Sequence, residues 1–198
     1  MNKEENYKAL ALQSAADYLQ PALLGLVKSS GVFDTCYAQK IRIKKEAKLL
    51  EKKNLKKIEN PDYELSNITD VVGLRLVALF RKDMVDLLDG CLKTISHNIN
   101  VSPNIFCKES LEEIIFYKGN SAFDELSPLI RSVVEKNFNG NVTFKEVNSR
   151  ERYSSIHLVA RLNSVGNSDP SLQLKELFGN EYLIPIEIQI RTVFEDAW

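Results

Sequence analysis

Hydrophobic residues near the start of the chain recur with the spacing of an α-helix. They include Tyr7, Ala11, Ala15, Tyr18, Ala22 and Leu26. Residues three or four positions apart share one face of a helix, so this row predicts a helix that buries one side. Pro21 would bend or divide that helix. We therefore predict an N-terminal helical segment over residues 1–39.

Further along, stretches typical of strands alternate with stretches typical of helices. Polar and apolar residues alternate over 40–44, and residues 71–80 form a nearly continuous β-branched run typical of a central strand. Additional strands are predicted over residues 99–107, 142–147, 154–162 and 181–191. Three further helices are predicted. One covers residues 46–58, and a second begins after Asp83, which serves as its N-cap. The third covers residues 122–138 and ends at Asn139-Gly140. This order predicts an α/β fold, with a mixed β-sheet flanked by helices.

The composition is that of a globular domain. Of 198 residues, 44% are hydrophobic and 27% are charged, which is enough apolar surface for one substantial core. No apolar run approaches the ~18–20 residues of a membrane-spanning helix, and the start of the chain lacks a signal-peptide pattern. Three cysteines without CxxC spacing favour neither a disulfide framework nor a zinc site. These features predict a cytoplasmic protein with no membrane partner.

Positive charge is concentrated in one tract. Residues 40–57 hold nine Lys or Arg and two Glu, a net charge of +7 in a chain whose net charge is −1. Lys48, Lys52 and Lys56 follow at intervals of four, so a helix there would carry them as one row. The tract is either a solvated helix face or the binding surface for an anionic partner.

The segment from Ile184 to Thr192 alternates strictly. Four isoleucines would face the core, while Glu187, Gln189 and Arg191 would share the opposite face. A surface strand in solvent has the same pattern, so the segment alone does not establish a site.

Two other segments carry candidate chemistry. The same parity places Tyr153, Ser155 and His157 on one face, where an aromatic ring, a hydroxyl and an imidazole could stack on a base and bind phosphate. Asp70 stands at the entrance of the predicted central strand, where it either ends the strand or holds a hard cation. With Glu187 it would supply the two carboxylates that suit a Mg²⁺–triphosphate complex.

In this order, behind the basic tract, the three segments resemble the synthetase domain of the RelA/SpoT alarmone synthetases. The matching motifs are Asp-x-x-Gly-x-Arg from Asp70, Tyr-x-Ser-x-His from Tyr153, and Glu-Ile-Gln-Ile-Arg-Thr from Glu187. The resemblance implies a nucleotidyltransferase-like fold and a RelA/SpoT-like synthetase domain over residues 40–198, truncated at its C-terminal end. It also implies Mg²⁺ as the cofactor, and it is compatible with a homo-oligomer.

The resemblance also implies roles for individual residues. On the donor side, Arg42, Lys44 and Lys52 match residues that meet ATP, and Arg75 matches the arginine that covers the adenine together with Arg42. Asp70 and Glu187 match the two Mg²⁺ carboxylates, and Glu187 is also the candidate to accept the proton of the attacking hydroxyl. On the acceptor side, Tyr153 matches the tyrosine that stacks on the base, and His157 and Gln189 match polar contacts.

The sequence departs from the family pattern in three places. The stretch before Tyr153 lacks the usual lysine and glycine, so Arg150 or Arg152 would have to contact the acceptor's phosphates. Residues 108–139 are interpreted as an insertion that packs on the sheet, covers the acceptor side or contacts a partner. Strand parity sends Asp70 and Arg75 to opposite faces, so both reach one ATP only if the strand twists or bulges near Gly73.

The resemblance implies a pyrophosphokinase that uses ATP and GDP or GTP and makes (p)ppGpp. No His-Asp motif of the family's hydrolase half is present, which predicts synthesis without hydrolysis. Two alternatives stay open. One is a toxin-like relative that modifies the 3′ end of tRNA, because the basic tract suits a phosphate-rich partner. The other is a catalytically inactive nucleotide-binding module, against which the presence of both Asp70 and Glu187 counts.

Overall fold

The computed structural model describes most of the chain beyond residue 32. The described residues are Gly25, Gly31 and the ranges 33–63, 67–96, 111–139, 142–149, 153–162 and 184–197. The strand predicted over 99–107 and most of the predicted N-terminal helical segment lie outside these residues. Strand β1 begins at Cys36, so the first strand crosses the boundary predicted between residues 39 and 40. The division into two segments remains a prediction.

Six strands in the described ranges form one mixed sheet. They are β1 (Cys36–Ile43), β2 (Val72–Ala78), β3 (Leu111–Lys118), β4 (Thr143–Asn148), β5 (Ser155–Leu162) and β6 (Ile184–Thr192). Their order across the sheet is β1-β2-β6-β5-β3-β4. Strand β2 runs parallel to β6 and β3 runs parallel to β4, whereas the other neighbours are antiparallel. The predicted α/β fold with a mixed sheet is confirmed, and β6, the last strand in the sequence, lies between β2 and β5.

Four α-helices have described bounds. They are α1 (Glu46–Glu59), α2 (Arg81–Ser96), α3 (Leu126–Phe138) and α4 (Val193–Asp196). Helix α2 packs on β2 and β6 and also contacts α3. Each of these helices is too short or too polar to cross a bilayer.

The core lies between one face of the sheet and helices α2 and α3. Alternate residues of the central strands are fully buried there, for example Leu74 and Leu76 on β2 and Ile186, Ile188 and Ile190 on β6. This agrees with the alternation predicted for Ile184–Thr192. Because successive side chains of a strand point to opposite faces, the residues between these positions are left for the other face.

The ends of α2 and α3 show how local chemistry sets element boundaries. Asp83 is predicted as an N-cap, but the helix begins at Arg81 and Asp83 lies in its first turn. Its carboxylate accepts a hydrogen bond from the backbone N–H of Phe80 at 3.1 Å, as the returning half of a capping box does. Asn139 ends α3 in the left-handed region with φ of 47°, a conformation that asparagine tolerates, so the predicted end is confirmed.

Strand β3 was not predicted, and the described part of the predicted insertion, residues 111–139, does not simply pack on the sheet, because it contributes a strand to it. Strand β3 lies between β5 and β4 and contributes Ile114 and Phe116 to the core. The register shifts between Leu111 and Glu113, so the buried residues Leu111 and Ile114 are three apart instead of two or four. This bulge hides the period of two on which a strand prediction depends.

We expect Phe116→Ala to destabilise the fold by about 3–5 kcal/mol, because it removes a fully buried ring from an internal strand of the sheet. Urea unfolding would measure the change in the free energy of unfolding. Leu129→Ala on α3 is the control, since Leu129 is 49% exposed and its loss should cost less than about 0.5 kcal/mol. Equal effects of the two substitutions would contradict this description of the core.

Candidate functional site

The face of the sheet opposite the core carries polar residues from strands that are distant in sequence. Two rows of opposed residues cross β1, β2, β6 and β5: Arg42, Gly73, Glu187 and Val159 in one, and Lys40, Arg75, Gln189 and His157 in the other. Neighbours in such a row have side chains on the same face. The register therefore brings the candidate residues of the three motifs onto one surface.

A cleft opens on this face at strands β1, β2 and β6. It is lined by Arg42, Lys44, Asp70, Gly73, Leu74, Arg75, Glu187 and Gln189. Six of these eight residues are predicted site residues, and a seventh, Lys52, reaches Asp70 from helix α1. Both predicted carboxylates therefore face a cleft that also presents several cations.

Asp70 is held between two lysines. Its Oδ1 accepts a hydrogen bond from Lys52 Nζ at 2.8 Å, and its Oδ2 accepts one from Lys44 Nζ. Burial raises the pKa of this carboxyl, but the hydrogen bonds and charges of Lys44 and Lys52 outweigh burial, so its pKa lies below the usual value. Asp70 is consequently an anion that balances two cations of the basic tract.

The predicted conflict between Asp70 and Arg75 is resolved without a bulge. Strand β2 begins at Val72, so Asp70 precedes the strand and strand parity does not apply to it. The β2 pairing is regular through Gly73 on both sides. The prediction that strand parity sends Asp70 and Arg75 to opposite faces is therefore wrong, because it counted Asp70 as part of the strand.

Glu187 is the centre of a hydrogen-bonded chain. Its Oε1 lies 2.6 Å from His157 Nδ1, and its Oε2 accepts a hydrogen bond from Gln189 Nε2 at 2.8 Å. An ionised carboxylate only accepts, so His157 Nδ1 carries the hydrogen. The other ring nitrogen, Nε2, lies 2.8 Å from Ser155 Oγ, and both Ser155 and His157 are buried.

These contacts keep Glu187 ionised. Burial raises the pKa of its carboxyl, but the hydrogen bond and charge of His157 and the hydrogen bond from Gln189 outweigh burial, so the pKa lies below the usual value. The charge of Asp70, which lines the same cleft, acts in the opposite direction as a smaller effect. Glu187 is thus a fixed anion at the floor of the cleft.

An aromatic cluster lies on the other side of Glu187. The rings of Tyr153 and Tyr117 are 6.2 Å apart, and the Tyr117 ring meets His157 edge-on at 4.7 Å. The guanidinium of Arg191 lies 4.8 Å from the centre of the Tyr153 ring. Arg191 Nε is buried with no hydrogen-bond partner in the described ranges. Tyr153 is therefore surrounded by groups that orient its ring.

Tyr117 and Arg191 are additions to the predicted site. Tyr117 could not be found, because β3 itself was not predicted. The sequence did indicate Arg191, because strand alternation places it on the same polar face as Glu187 and Gln189.

The comparisons with known proteins identify the family. The family model described as "Region found in RelA / SpoT proteins" matches residues 41–198. The chain belongs to the RelA/SpoT family. No curated protein sequence matches it significantly.

Solved structures of two small alarmone synthetases and of a GTP pyrophosphokinase family protein share the fold. The small alarmone synthetase 1 from Bacillus subtilis bound to its product pppGpp is 18% identical with a TM-score of 0.56, and the match covers 100% of this chain and 78% of that chain. A GTP pyrophosphokinase family protein from Streptococcus pneumoniae is 18% identical with a TM-score of 0.55, covering 100% and 74%. Small alarmone synthetase 2 from Bacillus subtilis is 15% identical with a TM-score of 0.51, covering 100% and 76%.

The donor atoms of the RelA/SpoT cleft suit a hard cation. Asp70 and Glu187 offer carboxylate oxygens, and the described residues contain no group of three or more His, Cys, Asp and Glu that could hold a metal. This set fits Mg²⁺, which takes one or two carboxylates and completes its coordination with water and phosphate oxygens.

Two predicted acceptor residues, Arg150 and Arg152, lie outside the described residues. Their contact with the acceptor's phosphates stays a prediction. The described residue that follows them, Tyr153, is half-buried and precedes β5.

Proposed function

We propose that this RelA/SpoT-family protein is a pyrophosphokinase that transfers the β,γ-pyrophosphate of ATP to the 3′-hydroxyl of GDP or GTP. The observation that carries the proposal is the pair of carboxylates, Asp70 and Glu187, in a cleft that also presents Arg42, Lys44 and Arg75. Transfer of a phosphoryl group depends mainly on positioning and charge neutralisation, and this cleft offers both.

The sheet order supports a donor side and an acceptor side on either side of Glu187. Glu187 lies on β6, with the cationic strands β1 and β2 on one side and β5, which carries His157, on the other. ATP would bind on the β1–β2 side, where the cations are, and the acceptor would bind beside Tyr153. The product-bound relative supports a guanosine acceptor only through its similar fold.

Lys44 and Lys52 would bind the triphosphate of ATP. The sequence has no Gly-x-x-x-x-Gly-Lys loop, so side-chain cations must replace backbone amides as the phosphate cradle. Lys44 and Lys52 now pair with Asp70 and could exchange its oxygens for phosphate oxygens. That exchange would free Asp70 to hold Mg²⁺ together with Glu187. The ion supplies charge neutralisation on the phosphate oxygens.

Glu187 would accept the proton of the attacking hydroxyl. The acceptor's O3′ forms a bond to the β-phosphorus of ATP, the bond between that phosphorus and the α–β bridging oxygen breaks, and AMP leaves with the electron pair. The proton of O3′ moves to a Glu187 oxygen. His157 and Gln189 hold that carboxylate in place, which keeps the base oriented without reorganisation.

The acceptor's base would stack on Tyr153. We expect Tyr153→Ala to raise the KM for the acceptor by about 10- to 100-fold, because stacking contributes about 1–3 kcal/mol per base. Tyr153→Phe is the matched control and should change this KM by less than about threefold, since it keeps the ring. Steady-state kinetics with varied GDP and saturating ATP would test this. A larger effect on the KM for ATP than for GDP would contradict the assignment.

The activity itself is tested with γ-labelled ATP, Mg²⁺ and separate incubations with GDP, GTP, ADP or bulk tRNA. The label enters the product, because the γ-phosphate is part of the transferred pyrophosphate. We expect label in a guanosine product, none with EDTA and none with Glu187→Gln. If the protein bound ATP but transferred label to no acceptor, it would instead be a catalytically inactive nucleotide-binding module.

The tRNA 3′ end is a second candidate acceptor, and the +7 tract at 40–57 is the observation that favours it. Within α1, Lys48 pairs with Glu51 and Lys56 pairs with Glu59 on the surface. These pairs reduce the charge that α1 offers to an RNA. Labelled tRNA in the same assay would move the protein to this class.

A further inference from the structure

A carboxylate outside the predicted site reaches the wall of the cleft. Asp196, on helix α4, accepts a hydrogen bond from Arg75 Nη1 at 2.7 Å and a second one from Lys40 Nζ. Its side chain is 8% exposed, whereas that of Arg75 is 25% exposed and that of Lys40 is 59% exposed. The partly shielded contact is therefore the one with Arg75.

The sheet register explains why an anion is needed there. Lys40 and Arg75 are directly opposed on β1 and β2, so two like charges lie side by side on the same face. Without an anion they would repel each other, and Arg75 would be free to turn away from the cleft. Asp196 binds both cations and fixes Arg75 at the cleft wall.

The geometry of the contact leaves Arg75 able to bind a ligand. A guanidinium is planar and donates its hydrogen bonds in that plane, so the bond from Nη1 to Asp196 does not use either flat face. Those faces can stack on a planar aromatic group. Arg75 lines the cleft on the β1–β2 side of Glu187, which is the donor side.

Asp196 is linked closely to the residues that would carry the reaction. Helix α4 follows β6 directly, and Thr192 at its N-cap bonds to Glu195. The strand that positions Glu187 and Gln189 therefore also positions Asp196. The unit formed by β6 and α4 therefore connects Glu187, the proposed general base, to Asp196 at the cleft wall.

We propose that Asp196 is a positioning residue that orients Arg75 to stack on the base of the donor nucleotide. This inference rests on the proposed function, because it takes ATP to be the ligand on this side. It predicts that loss of the Asp196 carboxylate weakens binding of ATP and leaves the acceptor side unchanged.

The test measures ATP binding by calorimetry in the absence of acceptor, with the full chain. We expect Asp196→Asn to raise the Kd for ATP about tenfold, the effect of losing a hydrogen bond between charged groups, with the KM for GDP changed by less than about twofold. Lys40→Met should change the Kd by less than about twofold, because that cation is mostly exposed. In an Arg75→Ala background, Asp196→Asn should have no further effect, since the two residues act as a unit.

Each other outcome overturns a specific statement. An unchanged Kd for ATP in Asp196→Asn would overturn the inference while the proposed function stands. An equal loss in the Arg75→Ala background would also overturn it, because Asp196 would then act through general folding. A wild-type protein that binds no ATP would instead refute the proposed function on which the inference rests.

Discussion

Glu187→Gln is expected to lower pyrophosphate transfer by about a thousandfold, while ATP binding changes little. The substitution keeps the shape of the side chain but removes the base and one of the two carboxylates that suit Mg²⁺. General-base catalysis alone contributes about 10²- to 10⁴-fold. Release of labelled product under saturating ATP and GDP would measure the loss, and calorimetry would measure ATP binding.

Glu113→Gln is the matched control for this experiment. Glu113 is a glutamate on β3, which is separated from β6 by β5, and it pairs with Lys145 and does not line the cleft. Its substitution should leave transfer within about twofold of wild type, as expected for a partly exposed pair. Transfer by Glu187→Gln at more than about a tenth of the wild-type rate would contradict both roles given to Glu187.

Asp70→Asn is expected to separate binding from catalysis. In the proposed site, Asp70 and the triphosphate of ATP would compete for Lys44 and Lys52, with which Asp70 pairs, so its neutralisation should strengthen binding of metal-free ATP by up to about tenfold. Transfer should fall by at least about a hundredfold, because one of the two carboxylates that suit Mg²⁺ is lost. Calorimetry in EDTA and the labelled transfer assay in Mg²⁺ would measure the two effects.

Asp62→Asn serves as the control, because Asp62 is an exposed aspartate in the turn that follows α1. It should change neither quantity by more than about twofold. If Asp70→Asn instead weakened binding of metal-free ATP, the main role of Asp70 would be to hold Lys44 and Lys52 in position. The Mg²⁺ assignment would then lose its support from this residue.

The elements that could be predicted are those whose pattern is local and regular. The alternation of Ile184–Thr192 reports a strand with one buried face, and the spacing of apolar residues in α2 and α3 reports two helices on the core. Strand β3 was not predicted, because its bulge between Leu111 and Glu113 interrupts the alternation of buried and exposed residues. The parity argument was wrongly extended to Asp70, because an apolar run does not mark the residue at which hydrogen bonding to the neighbouring strands begins.

The sequence by itself determined the family motifs, the polar face of β6 and the charge of the basic tract, because each depends on residues that are close in the chain. Only the tertiary structure decided which of these residues meet. The order β1-β2-β6-β5-β3-β4 places Glu187 between the cations and the aromatic cluster, and it brings Tyr117 beside His157. Asp196 meets Arg75 for the same reason, because α4 follows β6 and β6 pairs with β2. Strand pairing is set by packing between distant segments, so local patterns do not contain it.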